Sequence, residues 1–258
     1  MIAPGPRGIG EVESESDPIS GAQLIRSGTA LRPPHFDESI RRASLRVVAR
    51  PNAVIFDLGG VVMGSPLHAI AAYERELGIE AGFVNRQVVA TGPTGAWSRL
   101  ERGELALDAF YLLFDTECAA AGQALSARAM MEHIAIAAQP RPRMLAAIRT
   151  IRARGLRTAA LTNNWIGDGT RQRAFLGELF DVVVESAVEG LRKPDPRIYP
   201  IALARLGAVA AETVFLDDIG RNLKPARALG MITIKVDDEA QALGELARAL
   251  GFALEDAS

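Results

Sequence analysis

A short apolar run that ends in an aspartate and two glycines narrows the choice of folds more than any other stretch. Residues 53–56 are all apolar, Asp57 follows them, and Gly59 and Gly60 come next. This pattern predicts a buried strand that stops at an exposed carboxylate, where the backbone turns sharply. In an open parallel sheet, ligands bind outside the carboxyl ends of the strands, which would place Asp57 at a catalytic position. The alternative is an aspartate that only caps a strand-to-helix turn.

Composition and charge exclude several classes of protein. The chain has 258 residues, of which 48% are hydrophobic, so it is long enough for a full core with an inserted module. A formal net charge of -2 gives no electrostatic case for binding nucleic acid or an anionic membrane. A single cysteine, Cys118, excludes a disulfide framework and favours a reducing compartment. The sequence shows neither a signal-peptide pattern nor ~20 consecutive uncharged apolar residues, which predicts a cytoplasmic protein.

Hydrophobic patterning divides the chain into an arm, a core and an insertion. Residues 1–50 are rich in proline, glycine, serine and charge, which predicts a disordered N-terminal arm. Residues 66–138 have helical periodicity without any strand pattern, so we expect a helical cap inserted after the first strand. A flexible loop over 91–97, which carries Trp97, is predicted inside this cap. The core is then expected to comprise 51–65 and 139–255.

From Pro140 onward, strand and helix patterns alternate. They predict four more strands, at 156–161, 182–184, 213–216 and 231–236. Five strands alternating with helices predict an α/β fold, with a doubly wound, Rossmann-like parallel sheet and an inserted α-helical cap domain. A helical insertion beside the end of the first strand can close over a substrate and exclude water.

Polar side chains follow several of these predicted strands. They are the carboxylate Asp57, the hydroxyl and amide of Thr162 and Asn163, the ammonium of Lys193, and the carboxylates Asp217 and Asp218. Phosphoryl transfer through a covalent carboxylate intermediate needs such a set: a nucleophile, donors for the phosphoryl oxygens, and cations that offset negative charge. Carboxylate oxygens suit Mg²⁺, whereas the sequence lacks the His/Cys cluster that zinc prefers.

The order of these segments resembles the haloacid dehalogenase-like hydrolase superfamily, in the subfamily with a helical cap after the first motif. The likeness covers about residues 52–252 and is carried by 161–165, 184–186, 193–199 and 215–226. Within the superfamily it extends to the N-terminal phosphatase domain of soluble epoxide hydrolase. A similar domain occurs in multidomain acyl-CoA dehydrogenase fusion proteins.

This resemblance implies a role for each motif residue. Asp57 is similar to the phosphorylated nucleophile, and Lys193 to the catalytic cation that steadies nucleophile and phosphate. The implied phosphate- and substrate-binding residues are Leu58, Gly59, Thr162, Asn163 and Lys193; the implied Mg²⁺ ligands are Asp57, the Gly59 carbonyl, Asp217 and Asp218; and Asn222 is implied to orient the acidic loop. Trp97 of the cap either lines the closed substrate pocket or packs in the cap interior.

One position departs from the family pattern. Most phosphatases of the superfamily carry an aspartate two residues after the nucleophile, which protonates the leaving group and then activates water. Here that residue is Gly59. Its carbonyl can still bind a metal, but the usual general acid/base is missing, unless Glu101 of the cap or the substrate itself supplies the proton. Some members with glycine there, including sugar-phosphate phosphatases, are regarded as phosphatases.

Three functions are consistent with the sequence. The first is a Mg²⁺-dependent phosphomonoester hydrolase that uses an aspartyl-phosphate intermediate on a small phosphorylated metabolite, lipid- or acyl-linked ones included. It would bind no nucleic acid or membrane, associate functionally with enzymes of acyl-CoA metabolism, and exist as a monomer or homodimer. The second, a haloacid dehalogenase, is disfavoured by the metal-like pair Asp217 and Asp218. The third, a catalytically weak ligand-binding or interaction module, is supported by Gly59.

Overall fold

The computed structural model describes residues 50–167 and 170–254. The predicted N-terminal arm, 1–50, therefore lies outside the described residues except for Arg50. Its disorder stays a prediction, and so do the domain boundaries placed at 65/66 and 138/139.

Five strands and eleven helices occur in the described residues. The strands are β1 (Ala53–Phe56), β2 (Arg157–Thr162), β3 (Val182–Glu185), β4 (Thr213–Asp217) and β5 (Ile232–Lys235). The helices are α1 (Pro66–Glu76), α2 (Phe83–Thr91), α3 (Ala96–Glu101), α4 (Leu107–Ala120), α5 (Ala127–Ala137), α6 (Pro142–Ala153), α7 (Thr170–Leu179), α8 (Ser186–Glu189), α9 (Ile198–Leu206), α10 (Gly220–Ala228) and α11 (Glu239–Leu250). Among the helices described, none has both the length and the apolar character required to cross a membrane.

The strands form one parallel sheet in the order β3-β2-β1-β4-β5, which confirms the predicted fold class. Strand β1 is central, and the chain reverses its direction of winding there, since β2 lies on one side and β4 on the other. A crevice forms where the winding reverses, at the carboxyl ends of β1 and β4. Phe56 is in register with Leu216, so Asp57 and Asp217 leave the sheet side by side.

Alternation along β1 separates two apolar cores. Val54 and Phe56 face helices α6, α7 and α11, while Ala53 and Ile55 face α9 and α10. All four side chains are fully buried. Because both faces of the central strand are packed, Asp57 starts from a rigid position.

Helices α1 to α5 enclose a third apolar core of their own. Its centre is aromatic: the Trp97 ring centroid lies 5.8 Å from that of Phe110 and 5.6 Å from that of Phe114. Trp165, which follows β2, packs against this core from the sheet side. The apolar core of the helical insertion therefore includes a contact with the residues that follow β2.

The predicted flexible loop over 91–97 is wrong. Helix α2 runs through Thr91, a 3₁₀ turn covers Gly92–Thr94, and Trp97 lies in the first turn of α3. Two glycines and a proline suggested a loop, but α3 is stabilised by burial of Trp97 and Leu100 rather than by local propensity. Helix α8 was not predicted either, because four residues are too few to show periodicity.

Candidate active site

Three carboxylates meet at the ends of β1 and β4. Asp57, Asp217 and Asp218 each offer an oxygen that lies within 4.8 Å of the oxygens offered by the other two. Asp57 is 7% exposed and Asp217 is fully buried. Asp218 Oδ1 is also buried and finds no hydrogen-bond partner among the residues described. Buried, clustered carboxylate oxygens of this kind fit a hard divalent cation such as Mg²⁺.

The Lys193 ammonium lies between two of these carboxylates. Its Nζ is 2.8 Å from Asp57 Oδ1 and 2.7 Å from Asp217 Oδ2, and the residue is only 1% exposed. A buried ammonium held by two carboxylates has a fixed position. With all groups ionised, one ammonium cannot balance three carboxylates, so the site keeps an excess of negative charge.

This charge distribution shifts the pKa values in the cluster. Burial raises the pKa of Asp57 to about 8; Lys193 opposes the rise, and Asp217 and Asp218 add to it. Burial, together with Asp217, raises the pKa of Asp218 to about 6. Burial lowers the pKa of Lys193, but Asp217 and Asp57 outweigh it, and the net pKa is raised. A divalent cation at the cluster would favour the ionised carboxylates.

Asn222 fixes the orientation of Asp217. Its Nδ2 donates to both Asp217 oxygens, at 3.0 and 3.1 Å, and the Ile219 amide donates to Asp217 Oδ1 at 2.8 Å. The Asn222 carbonyl in turn accepts from the Tyr199 hydroxyl at 2.7 Å. All of these groups except Ile219 are buried. Together with the Lys193 ammonium, the Asn222 amide and the Ile219 backbone amide hold the Asp217 carboxylate in place.

A tight turn follows Asp57. The Leu58 amide donates to Asp57 Oδ1 at 2.7 Å, and the Leu58 carbonyl accepts from the amides of Val61, Val62 and Met63. Gly60 has φ +79°, and a Cβ at this position would lie 2.1 Å from Asp218 Oδ2. Only glycine can therefore occupy position 60 while Asp218 reaches the cluster. Gly60 was predicted only as a turn residue, and its close approach to Asp218 was not predicted.

Asn163 joins the end of β2 to the Lys193 backbone. Its Oδ1 accepts from the Lys193 amide at 2.8 Å, and its Nδ2 donates to the Lys193 carbonyl at 3.0 Å. Thr162, which is buried, donates from Oγ1 to the Asn163 carbonyl at 3.4 Å. The two residues therefore hold Lys193, which lies in the loop between α8 and α9, at the edge of the sheet.

A cavity runs between the sheet edge and helices α1 to α3. The predicted site residues that line it are Asp57, Gly59, Trp97, Asn163, Lys193, Asp218 and Asn222. Leu58, Thr162 and Asp217 do not line it, and all three are buried. Apolar side chains of the helical insertion form the opposite wall; they are Leu67, Ile70, Val84 and Val88. The predicted residues thus surround one cavity, with polar groups on the sheet side.

Glu101 and Arg192 connect the two sides of this cavity. Glu101 Oε1 accepts from Trp97 Nε1 at 3.0 Å, while Oε2 forms an ion pair with Arg192 and accepts from Asn163 Nδ2 at 3.4 Å. Arg192 also donates to Ser98 Oγ at 3.0 Å. Trp97 therefore both packs in the insertion and lines the cavity. Both oxygens of Glu101 are engaged, so its evident role is to hold α3 against the sheet segment.

Arg192 was missed by the sequence analysis, although it directly precedes Lys193. Its pairing with Glu101 joins positions far apart along the chain. The signal in the sequence was an arginine beside a motif lysine, and a solvated loop arginine has the same pattern.

Known proteins share this arrangement of segments. A family model described as haloacid dehalogenase-like hydrolase matches residues 51–230. Acyl-CoA dehydrogenase family member 10 from Mus musculus is 39% identical over 206 residues, which cover 78% of this chain and 19% of that protein. Bifunctional epoxide hydrolase 2 from Sus scrofa is 35% identical over 218 residues, covering 78% of this chain and 39% of that protein. The chain thus spans less than half the length of these relatives.

Two further likenesses extend over most of the matched proteins. A sesquiterpene phosphatase from Aspergillus oryzae is 28% identical over 202 residues, which cover 77% of this chain and 96% of that protein. A solved HAD family enzyme from Bacteroides thetaiotaomicron, in complex with magnesium and inorganic phosphate, has a TM-score of 0.54 and 19% identity, over 74% of this chain and 98% of its own. At this identity the solved structure shows the shared fold. The family model and the curated relatives confirm the resemblance: the chain belongs to the haloacid dehalogenase-like hydrolases, and its relatives include phosphatases.

Proposed function

We propose that the chain is a Mg²⁺-dependent phosphomonoester hydrolase that forms an aspartyl-phosphate on Asp57. The observation that supports this most is the position of Asp57, at 2.8 Å from the Lys193 ammonium and beside two further carboxylates. Such a cluster combines a nucleophile with a cation and a metal site. The phosphatases among its relatives support the same chemistry.

In the first step, a carboxylate oxygen of Asp57 forms a bond to phosphorus while the bond from phosphorus to the leaving oxygen breaks. Lys193 and the Leu58 amide both hold Oδ1, so we assign the attack to Oδ2. The leaving oxygen takes its proton from water, and a water molecule then attacks the acyl phosphate, which releases inorganic phosphate and restores the Asp57 carboxylate. The Lys193 ammonium stays beside the reacting atoms and offsets negative charge.

Asp57, Asp217, Asp218 and the Gly59 carbonyl would hold Mg²⁺ in this scheme. When bound, the ion supplies charge neutralisation for the phosphoryl oxygens. Two observations support this assignment: Asp218 Oδ1 is buried without a hydrogen-bond partner among the described residues, and the three carboxylates offer oxygens that lie within 4.8 Å of one another.

For the substrate we propose a small phosphomonoester with an apolar body. The insertion contributes apolar residues to the cavity wall, so a lipid- or acyl-linked phosphate would bury its chain there. The name of the sesquiterpene phosphatase indicates an apolar substrate for that relative. A functional association with enzymes of acyl-CoA metabolism follows only from the similarity to the acyl-CoA dehydrogenase family member.

Phosphate release from a panel of aryl, alkyl, terpenyl and sugar phosphates tests this function. We expect release with Mg²⁺ and none with EDTA, because the acidic cluster needs a cation to bind a phosphoryl dianion. A parallel assay follows halide release from 2-haloacids. No release of either product would favour the ligand-binding module, and halide release alone would favour the dehalogenase.

The general acid/base is the missing element of this mechanism. Gly59 carries no side chain, and Glu101 is engaged by Trp97, Arg192 and Asn163. The φ of Gly59 lies outside the left-handed region, so its backbone accepts other residues. A Cβ at position 59 would, however, lie 3.0 Å from both Cδ and Cγ of Pro66. An aspartate can therefore be introduced if the Pro66 ring is removed.

We predict that turnover depends steeply on the leaving group. A positioned general acid contributes about 10²–10⁴-fold, and most for basic leaving groups. Aryl phosphates should therefore be hydrolysed far faster than alkyl phosphates. Adding the acid in Gly59→Asp with Pro66→Ala should reduce the aryl-to-alkyl ratio of kcat/KM by at least about 10-fold.

Pro66→Ala alone is the control for this variant, since Pro66 lines the cavity. If the wild type has an aryl-to-alkyl ratio of kcat/KM as small as that of the double variant, another group already donates the proton. Glu101→Gln would then test whether that group is Glu101.

A further inference from the structure

The cavity that contains Asp57 adjoins a second cavity. Val88, Arg192 and Arg221 line both of them, so these three residues border the two spaces. The second cavity is also lined by Arg102 and Asp195. It therefore has three arginines and a single acid in its wall.

Most of these charges are already paired. Asp195 accepts from Arg197 at 2.6 and 3.0 Å, and Arg102 donates to Glu104 Oε1 at 2.6 Å. Arg192 is held by Glu101 and Ser98, as described above. The single acid in the wall is thus neutralised from outside the cavity.

Arg221 differs from its neighbours. Within the part of the chain that the structure describes, its guanidinium has no hydrogen-bond or ion-pair partner, and the residue is exposed. It lies three residues after Asp218 of the acidic cluster. An unpaired guanidinium on an open surface is usually only solvated, but Arg221 lines both the cavity that contains Asp57 and the second cavity.

We propose that Arg221 binds a second anionic group of the substrate, an inference that rests on the proposed phosphatase function. A guanidinium can bind a carboxylate or a phosphoryl group through two parallel hydrogen bonds. The cavity that contains Asp57 and Arg221 is also lined by Val88 and other apolar side chains, so we assign an apolar body to the part of the substrate between its two anions. The substrate class is then a phosphomonoester whose apolar body ends in a carboxylate or a second phosphate.

Matched substrates test this assignment. We would measure kcat/KM for alkyl phosphates, ω-carboxyalkyl phosphates and α,ω-bisphosphates over a range of chain lengths. At one length the wild type should favour an anionic end group by about 10- to 100-fold, the range of a charge-assisted pair. Arg221→Gln should remove this preference and leave the alkyl phosphate within about twofold. The carboxylate and bisphosphate arms identify which anion is bound.

Arg149→Gln, at an exposed arginine that lines neither cavity, is the matched control. Calorimetric binding of the corresponding phosphonates, with Mg²⁺ present, gives a readout that needs no turnover. Turnover without any preference for anionic ends, or an equal loss on all substrates in Arg221→Gln, would overturn the inference while the phosphatase function stands. Preferential phosphonate binding that Arg221→Gln abolishes, without turnover of any ester, would support the subsite and overturn the phosphatase function.

Discussion

Asp57→Asn should abolish phosphate release, with kcat lowered by at least about 10⁴-fold, a loss typical of a removed nucleophile. The amide cannot form the acyl phosphate, and it also loses the ionic contact to Lys193, where the two groups lie 2.8 Å apart. Asparagine keeps the size of the side chain, and the Leu58 amide can still donate to its oxygen, at the position where it now donates to Asp57 Oδ1. The loss should therefore come from chemistry rather than from unfolding. Release of phosphate from the best substrate of the panel provides the measurement.

Three companion measurements make this result specific. Asp108→Asn, at an exposed aspartate of α4, is a matched control and should keep full activity. Trapping of a phosphoryl group on the protein should occur in the wild type and not in Asp57→Asn. Mg²⁺ should raise the Tm of the wild type, because it relieves repulsion among three carboxylates, and should raise that of Asp57→Asn less. Wild-type turnover in Asp57→Asn would refute the covalent mechanism.

The fold was predictable because its signals are local. Most strands are short apolar runs that end at a polar residue, and the longer helices have their own periodicity, so their alternation predicts a doubly wound parallel sheet. The meeting of Asp57 with Asp217 follows once β1 and β4 are parallel neighbours. Phe56 is then in register with Leu216, so the residues that come next lie side by side.

The parts of the site that escaped prediction depend on contacts between distant residues. Glu101 and Arg192 are separated along the chain by about half of the insertion and by two strands, and their ion pair exists only when α3 lies against the loop that contains Lys193. Gly60 is a turn glycine in sequence terms, and only the folded chain shows that a Cβ there would meet Asp218. Local patterns carry no information on such approaches.

The same contacts give the insertion a part in positioning Lys193. Ser186 Oγ donates to the Glu101 carbonyl at 2.6 Å and accepts from the Asn164 amide at 2.9 Å. Glu101 also accepts a hydrogen bond from Asn163. The side-chain amide of Asn163 in turn donates to the Lys193 carbonyl and accepts from the Lys193 amide. The end of α3 therefore supports the loops that hold Lys193, and does not only cover the cavity.

Of the variants proposed here, Lys193→Met should lose the most stability. We expect its free energy of unfolding to fall by about 3–5 kcal/mol, because buried carboxylates are left without their cation. Methionine fills a similar volume, so packing changes little. Asp217 is fully buried and Asp57 nearly so, and neither can turn to water without moving the ends of β1 and β4. Phosphate release should fall by at least about 10²–10³-fold, because a preorganised cation beside the reacting atoms is removed. Urea denaturation in EDTA and the phosphate assay give the two values.

A double variant separates the two effects. Lys193→Met with Asp217→Asn removes the buried ammonium together with one of its carboxylates, so it should recover much of the lost stability. It should recover no activity, because both the cation and a metal ligand are then absent. Mg²⁺ should narrow the stability difference between wild type and Lys193→Met, since it binds the same carboxylates, whereas Lys224→Met, at an exposed lysine, should behave as wild type throughout. If Lys193→Met instead unfolds like the wild type in EDTA, the ammonium does not hold the carboxylates together, and the charge cluster is stable without it.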